Sequence, residues 1–162
     1  MSPKRYFGLV RAALLLVGGL VFCWAVYVGA TIPEPPPNTD GLPAGFAVMY
    51  ALIVQSAGAL TAQIGYALPA GAGRFRFGPL ADRSVAFRGA VATAVFVTAA
   101  LLLSVLGWAL PDSLPRVVSG TYAFSWLGAA AGSATGIVLT AALAAVTAIV
   151  RLVRGDPVLG GD

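Results

Sequence analysis

Four long stretches without a charged residue divide this sequence and leave few folds open to it. They run, in chain order, over residues 12–33, 41–73, 89–111 and 117–150. Each contains the roughly 20 apolar residues that a helix needs to cross a hydrocarbon core of about 30 Å. A helix also satisfies its own backbone hydrogen bonds, as a segment in lipid must. We therefore expect an all-α integral membrane protein with four spans.

The scarcity of charge supports the same interpretation. Charged residues make up 10% of the 162 positions and hydrophobic residues 59%, whereas a soluble domain has about 25% charged residues. Such a chain cannot cover a water-exposed surface with polar groups. The whole of 1–162 is therefore predicted to be a single transmembrane domain, with spans at about 12–32, 44–68, 89–110 and 122–149.

The positions of the basic residues predict the orientation. Arg116 lies between the third and fourth stretches, on the same predicted side as Glu34, Asp40 and Asp112. The other basic residues fall into three segments, which four spans would place together on the opposite side. The segments contain Lys4, Arg5 and Arg11; Arg74, Arg76, Arg83 and Arg88; and Arg151 and Arg154. Because basic residues favour the cytoplasmic side, both termini and the loop 69–88 are expected there. The loops 33–43 and 111–117 are then the outer ones.

The short outer loops predict the arrangement of the helices. Each contains proline and joins two spans closely, so we expect two antiparallel transmembrane hairpins that form a four-helix bundle. The fourth stretch has 34 residues, about 50 Å as a helix, and must tilt, project or lie at the interface. Ser84 or Asp82 is expected to cap the third helix.

The first span could instead be a cleaved signal peptide, because the sequence "VGA" at 28–30 resembles a cleavage site. The preceding apolar run from Ala12 to Ala30 is longer than the 7 to 15 residues of a signal sequence. A retained span is therefore favoured, and cleavage would leave three.

The stretch "GAAAGSATG" places glycines at intervals of four in the last span. It lacks the lysine of a phosphate-binding loop and the spacing of a dinucleotide-binding turn. Intervals of four align residues along one helix face, and small faces let membrane helices pack closely. This face is therefore predicted to be a helix-packing surface, either against this chain's own helices or against a partner. Its members are Gly128, Gly132, Gly136, Thr140 and Ala144, with Ala148 in the same register.

Polar residues inside the predicted spans are few, and the strongest are in the second span: Gln55, Ser56, Thr61 and Gln63. The two glutamines are about 80° apart around a helix, on one broad face. Such amides commonly hydrogen-bond to neighbouring helices. Alternatively, they could line a path for a small uncharged solute. Acidic and basic residues are expected at the membrane rims, outside the hydrocarbon.

The cytoplasmic loop contains alternating cations and aromatics, Arg74, Phe75, Arg76 and Phe77. This pattern suits an interface with anionic lipid headgroups. Two Arg-Phe steps are too small a footprint for nucleic acid, so no nucleic-acid partner is expected.

Catalytic chemistry has little support in the sequence. There is no histidine, and the single cysteine, Cys23, cannot form an intramolecular disulfide. No paired carboxylates fall within a span, so we expect no enzyme, metal or cofactor. The best hypothesis is a subunit, assembly factor or scaffold that acts through helix–helix packing, as a homo-oligomer or with a membrane protein partner. The alternatives are a channel or facilitator for a small uncharged solute and a lipid-interacting membrane protein.

Overall fold

The structure, a computed structural model, describes residues 3–33, 42–68, 80, 83–111 and 113–154. These residues contain no strand and form four helices, α1 Pro3–Ala30, α2 Leu42–Ala67, α3 Val85–Ala109 and α4 Arg116–Arg154. Each helix is long and apolar enough to span a membrane. The predicted all-helical chain with four such helices is confirmed.

The first and last helices extend beyond the predicted spans. Helix α1 begins at Pro3 rather than near residue 12, and α4 continues without a break from Arg116 to Arg154. Charge ends an apolar stretch but not a helix, since lysine and arginine are good helix formers. The 39 residues of α4 correspond to about 58 Å at about 1.5 Å per residue. The Ser84 cap is confirmed, because its side chain accepts a hydrogen bond from the Phe87 backbone N–H at 3.2 Å.

The distribution of side chains is the reverse of that in a soluble protein. Among the described residues, the buried apolar side chains are alanines apart from Phe124. Large apolar side chains cover the outside, and Trp108 is 93% exposed. Other examples, all more than half exposed, are Leu16, Leu20, Ile53, Leu101, Leu102, Val105 and Val138. Small residues therefore join the helices, and the outer surface suits an apolar solvent.

Helix α1 packs most extensively against α2, and α3 against α4. Helices α2 and α4 also contact each other, and each of them contacts all three other helices. Among the four described helices, the Cα atoms of α1 and α3 nowhere come within 8 Å of each other. The Phe22 and Phe96 rings bridge these two helices edge to face, with their centres 6.0 Å apart.

The two ends of the bundle are named here after their arginines. At the Arg116 end, the Arg116 guanidinium donates to the Ile32 carbonyl at 3.0 Å, and Gly120 packs against Ala30. At the Arg11 end, α1, α2 and α3 bring together Arg11, Tyr66 and Arg88. The end of α1 thus lies beside the start of α4 at the Arg116 end, and α4 continues past the start of α3 at the Arg11 end.

Candidate functional site

The three glycines of α4 lie inside the bundle. Gly128 is against the Gln55 amide and the Phe22 ring, and Gly132 is against the Phe96 ring. A methyl group at Gly136 would lie 2.5 Å from the Thr93 hydroxyl and 3.0 Å from the Gln63 carbonyl oxygen. Each glycine therefore makes room for side chains that α1, α2 or α3 inserts against α4.

Two glutamines of α2 bond to the backbone of α4. Nε2 of Gln55 donates to the Phe124 carbonyl at 2.8 Å, and Nε2 of Gln63 donates to the Gly132 carbonyl at 2.6 Å. The two side chains are 0% and 1% exposed. We call Gln55, Gln63, Gly128, Gly132 and Gly136 the glycine seam. Donor and acceptor are 69 residues apart in both bonds, so α2 and α4 run parallel along it.

The hydrogen bonds matter because the amides are fully buried. A buried amide without a partner costs about 1–3 kcal/mol, and the bond to α4 offsets that cost for each Nε2. Within the described residues, the Oε1 atoms of Gln55 and Gln63 have no hydrogen-bond partner. Carbonyl oxygens of a helix have a second lone pair, so Phe124 and Gly132 can accept these bonds without giving up their helical ones. The seam joins α2 to α4 without opening either helix.

The predicted small-residue stripe divides into two parts. Beside Gly136, the Thr140 hydroxyl lies 3.2 Å from that of Thr93, which donates to the Gly89 carbonyl at 2.9 Å. Further along the helix, Ala144 is exposed and Ala148 is half-buried. The stripe is therefore packed inside the bundle as far as Thr140 and is open beyond it.

The four polar residues predicted on α2 do not converge. Gln55 and Gln63 point to α4, whereas Ser56 donates to the Leu52 carbonyl and Thr61 to the Ala57 carbonyl, both at 2.7 Å. A hydroxyl that bonds within its own helix turn makes no link to a neighbouring helix. The two glutamines therefore act as a pair, and the hydroxyls do not belong to the seam.

A second glycine contact, between α1 and α2, is absent from the sequence predictions. A methyl group at Gly18 would lie 2.5 Å from the Ala62 nitrogen and 2.8 Å from the Gly58 carbonyl oxygen. A methyl group at Gly58 would lie 2.7 Å from the Phe22 nitrogen, and one at Gly65 would lie 3.0 Å from the Leu15 nitrogen. The spacing of Gly58 and Ala62 is a small-xxx-small pattern, and that signal could have identified the contact.

The arginines at the Arg11 end lie inside the bundle. Arg11 and Arg88, which the sequence predicts at the membrane rims, lie within α1 and α3, and their side chains are 1% and 3% exposed. The Arg11 guanidinium stacks over the Tyr66 ring, with its carbon 5.4 Å from the ring centre. Charge alone marks where a span ends, and it does not indicate that the helix continues and turns the side chain inward.

The predicted lipid interface at Arg74, Phe75, Arg76 and Phe77 lies outside the described residues. Among the residues that are described, no group of three histidine, cysteine or acidic side chains could hold a metal ion. Cys23 is exposed on α1.

Comparison of the chain with protein families, with curated proteins and with solved structures finds no match.

Proposed function

We propose that this chain is a multi-pass protein of the cell membrane, folded as two antiparallel hairpins with both termini in the cytoplasm. The reversed side-chain distribution supports insertion, because large apolar residues face outward and alanines and glycines face inward. The charges support the orientation: Arg11, Arg83 and Arg88 are at one end and Arg116 is at the other.

Reporter tags on the two termini test this topology. Both are expected to report the cytoplasm, and a tag inserted after Ser113 in the loop between α3 and α4 is expected to report the opposite side. Tags on the two termini that report opposite faces would contradict the proposal, as would a soluble monomer recovered without detergent.

We further propose that the protein is a non-catalytic subunit, assembly factor or scaffold, and that it binds another membrane helix through α4. The observation that carries this proposal is the extension of α4 beyond its packing partner. Leu143 still lies against Gly89 of α3. From Ala144 to Val153, every side chain described is exposed except that of the half-buried Ala148.

The exposed extension is too apolar to remain in water. Val146 and Ile149 are 57% and 58% exposed and Val153 is 82% exposed, and the whole helix is about 58 Å long against a hydrocarbon core of about 30 Å. The small residues Ala144 and Ala148 continue the packing face of the seam. A helix of a partner, either a second copy or another protein, would bury both the small face and its apolar borders.

Site-specific photo-crosslinking in cells tests the proposed surface. A crosslinker at Ala144 or Ala148 is expected to give an adduct of one defined mass, and one at Ala94, an exposed alanine of α3, is expected to give none. Ala144→Leu combined with Ala148→Leu should abolish the adduct that a crosslinker at Ala145 gives. The same double variant should change the free energy of unfolding by no more than about 0.5 kcal/mol. Equal crosslinking at all positions, or none at any, would contradict the proposal.

A further inference from the structure

An aromatic hollow lies between the end of α3 and the beginning of α4. It has a volume of about 520 Å³ and is lined by Ser104, Gly107, Trp108, Tyr122 and Trp126. We call this place the aromatic hollow. Its volume falls within the roughly 300–1,000 Å³ typical of ligand sites. None of the five lining side chains carries a charge, so any recognition depends on aromatic rings, a hydroxyl and the backbone.

Helix spacing and one glycine form the hollow. Ser104 and Trp108 are one turn apart on α3, and Tyr122 and Trp126 are one turn apart on α4. Gly107 has no side chain, and a methyl group there would meet the Tyr122 hydroxyl. The Tyr122 side chain therefore reaches α3 where that helix leaves room for it. Three aromatic residues thus come together on one side of the α3–α4 pair.

The polar atoms of two of these aromatic side chains are already hydrogen-bonded. The Tyr122 hydroxyl donates to the Leu103 carbonyl at 2.7 Å, and Nε1 of Trp126 donates to the Ser104 hydroxyl at 2.8 Å. Ser104 in turn donates to the Ala100 carbonyl at 2.8 Å. These bonds hold both rings against α3 and occupy their donors. The rings can still offer a ligand their π surfaces, which are negative at the face.

The backbone at the hollow contributes partial charge of the same sign. Gly107 and Trp108 belong to the last turn of α3, which ends at Ala109 and contains no basic residue. The last four carbonyls of a helix have no partner within it and form the negative end of its dipole. Arg116, a cation at the same end of the bundle, donates to the Ile32 carbonyl of α1 and does not line the hollow. The hollow therefore suits a cation, although it contains no acidic side chain.

We propose that the aromatic hollow binds the alkylammonium headgroup of a zwitterionic phospholipid. Aromatic faces attract quaternary ammonium groups, and tryptophan attracts them most strongly. A lipid is the source because exposed apolar side chains continue along α3 from the hollow, at Leu101, Leu102 and Val105, where acyl chains would lie. The proposal rests on the membrane insertion proposed above. It is independent of the partner surface on α4, because residues 144–153 do not line the hollow.

Choline binding measured by tryptophan fluorescence tests the chemistry of the hollow. Choline chloride is titrated into the protein in non-ionic micelles, with sodium chloride keeping the ionic strength constant. Choline is expected to change the fluorescence saturably. The dimethylbutanol with carbon in place of the choline nitrogen has the same shape without the charge, and it should bind more weakly by about fivefold or more. Equal binding of the two compounds, or no saturable response to choline, would overturn the proposal.

Trp108→Leu tests the assignment to this place. Trp108 is 93% exposed, so its removal should leave the fold intact, and Trp126 remains in the hollow as the fluorescent reporter. The variant should weaken choline binding about fivefold, as loss of one exposed cation–π contact does, and Trp108→Phe should weaken it less. The control is Trp24→Leu, which removes a half-exposed tryptophan of α1 outside the hollow and should not change the affinity. Equal weakening by Trp24→Leu and Trp108→Leu would contradict the proposed site.

Choice of lipid in nanodiscs tests the source of the ammonium group. In discs of phosphatidylcholine, lipid headgroups should occupy the hollow and prevent choline from binding. In discs of an uncharged glycolipid, which has no ammonium, choline should bind as it does in micelles. Equal choline binding in both discs would mean that the hollow takes a dissolved ammonium compound, and the lipid proposal would be wrong. The reporter tags on the termini test insertion separately, so failure of choline to bind would leave the proposed topology standing.

Discussion

Glycine serves opposite purposes in two interfaces of this bundle. Between α1 and α2, Gly18 and Gly58 bring two backbones into direct contact, and the nearest atoms are main-chain atoms. Along the glycine seam, Gly128 and Gly132 face side chains, which are the Gln55 amide and the rings of Phe22 and Phe96. In the first interface, the helices approach closely because both have glycine at the contact. In the second, they approach closely because α4 has glycine where its neighbours have large side chains.

This difference determines how each interface can respond to added volume. A backbone neighbour cannot move without moving its whole helix, whereas a side chain can change rotamer at modest cost. The α1–α2 contact should therefore be intolerant of a single methyl group. The seam should tolerate one in part, and its losses should depend on which side chain faces the altered position.

The largest effect is expected at Gly18. Gly18→Ala would force its methyl group to within 2.5 Å of the Ala62 nitrogen and should lower the free energy of unfolding in mixed micelles by about 3 kcal/mol, the upper part of the range for overpacking. Gly19→Ala is the control, because nothing lies within 4 Å of its position. Equal stability of the two variants would contradict the direct contact between backbones.

A smaller effect is expected at Gly132. Gly132→Ala presses on the Phe96 ring and should cost about 1–2 kcal/mol, because the ring can shift. In a double-mutant cycle, Phe96→Leu should recover about 1 kcal/mol of that loss. Additive losses would mean that the ring is not what limits space at Gly132.

The next largest effect on the free energy of unfolding is expected at the two glutamines of the glycine seam. Gln55→Leu and Gln63→Leu should each cost about 1 kcal/mol, within the range measured for hydrogen bonds between membrane helices. Ser56→Ala, which removes a hydroxyl bonded within α2, should cost less than about 0.5 kcal/mol. The measurement is the free energy of unfolding. If Ser56→Ala lowers it as much as Gln55→Leu and Gln63→Leu do, the hydrogen bonds of the glycine seam do not stabilise the bundle.

The smallest effect concerns the hydroxyl pair of α3 and α4. Thr93→Val and Thr140→Val should show a coupling of about 0.6 kcal/mol in a double-mutant cycle, the average for such bonds in membrane bundles. The measurement is the unfolding free energy of the single and double variants. A coupling near zero would mean that the 3.2 Å approach is packing without a hydrogen bond.

The sequence predicted the helices well and their partners less well. Apolar length and missing charge were enough to identify four helices, because a long uncharged apolar stretch is typical of a helix that can span a membrane. The face of Gly128, Gly132 and Gly136 was visible from its spacing. The side chains that enter that face could not be predicted, because Gln55 is 69 residues from Phe124 and no local pattern connects them.

The positions of Arg11 and Arg88 show a different limit. A sequence shows that a charged residue is near the end of a span, but the direction of its side chain depends on how the neighbouring helices pack. Arg11 of α1 and Arg88 of α3 are both buried, and Arg11 packs over Tyr66 of α2. The α1–α2 glycine contact was missed although Gly58 and Ala62 have the small-xxx-small spacing, because Gly18 and Gly58 belong to different helices and no local pattern connects them.

The equal spacing of the two glutamine bonds restricts how the gene can change length. Gln55 and Gln63 are eight residues apart, as are Phe124 and Gly132. Both hydrogen bonds can therefore form only when the two segments have the same length. One residue inserted between either pair would rotate everything after it by about 100° and shift it by about 1.5 Å. Only one of the two bonds could then form. Insertions and deletions should therefore be tolerated in the loops 33–43 and 111–117 and should destabilise the bundle between residues 55 and 63 or between 124 and 132.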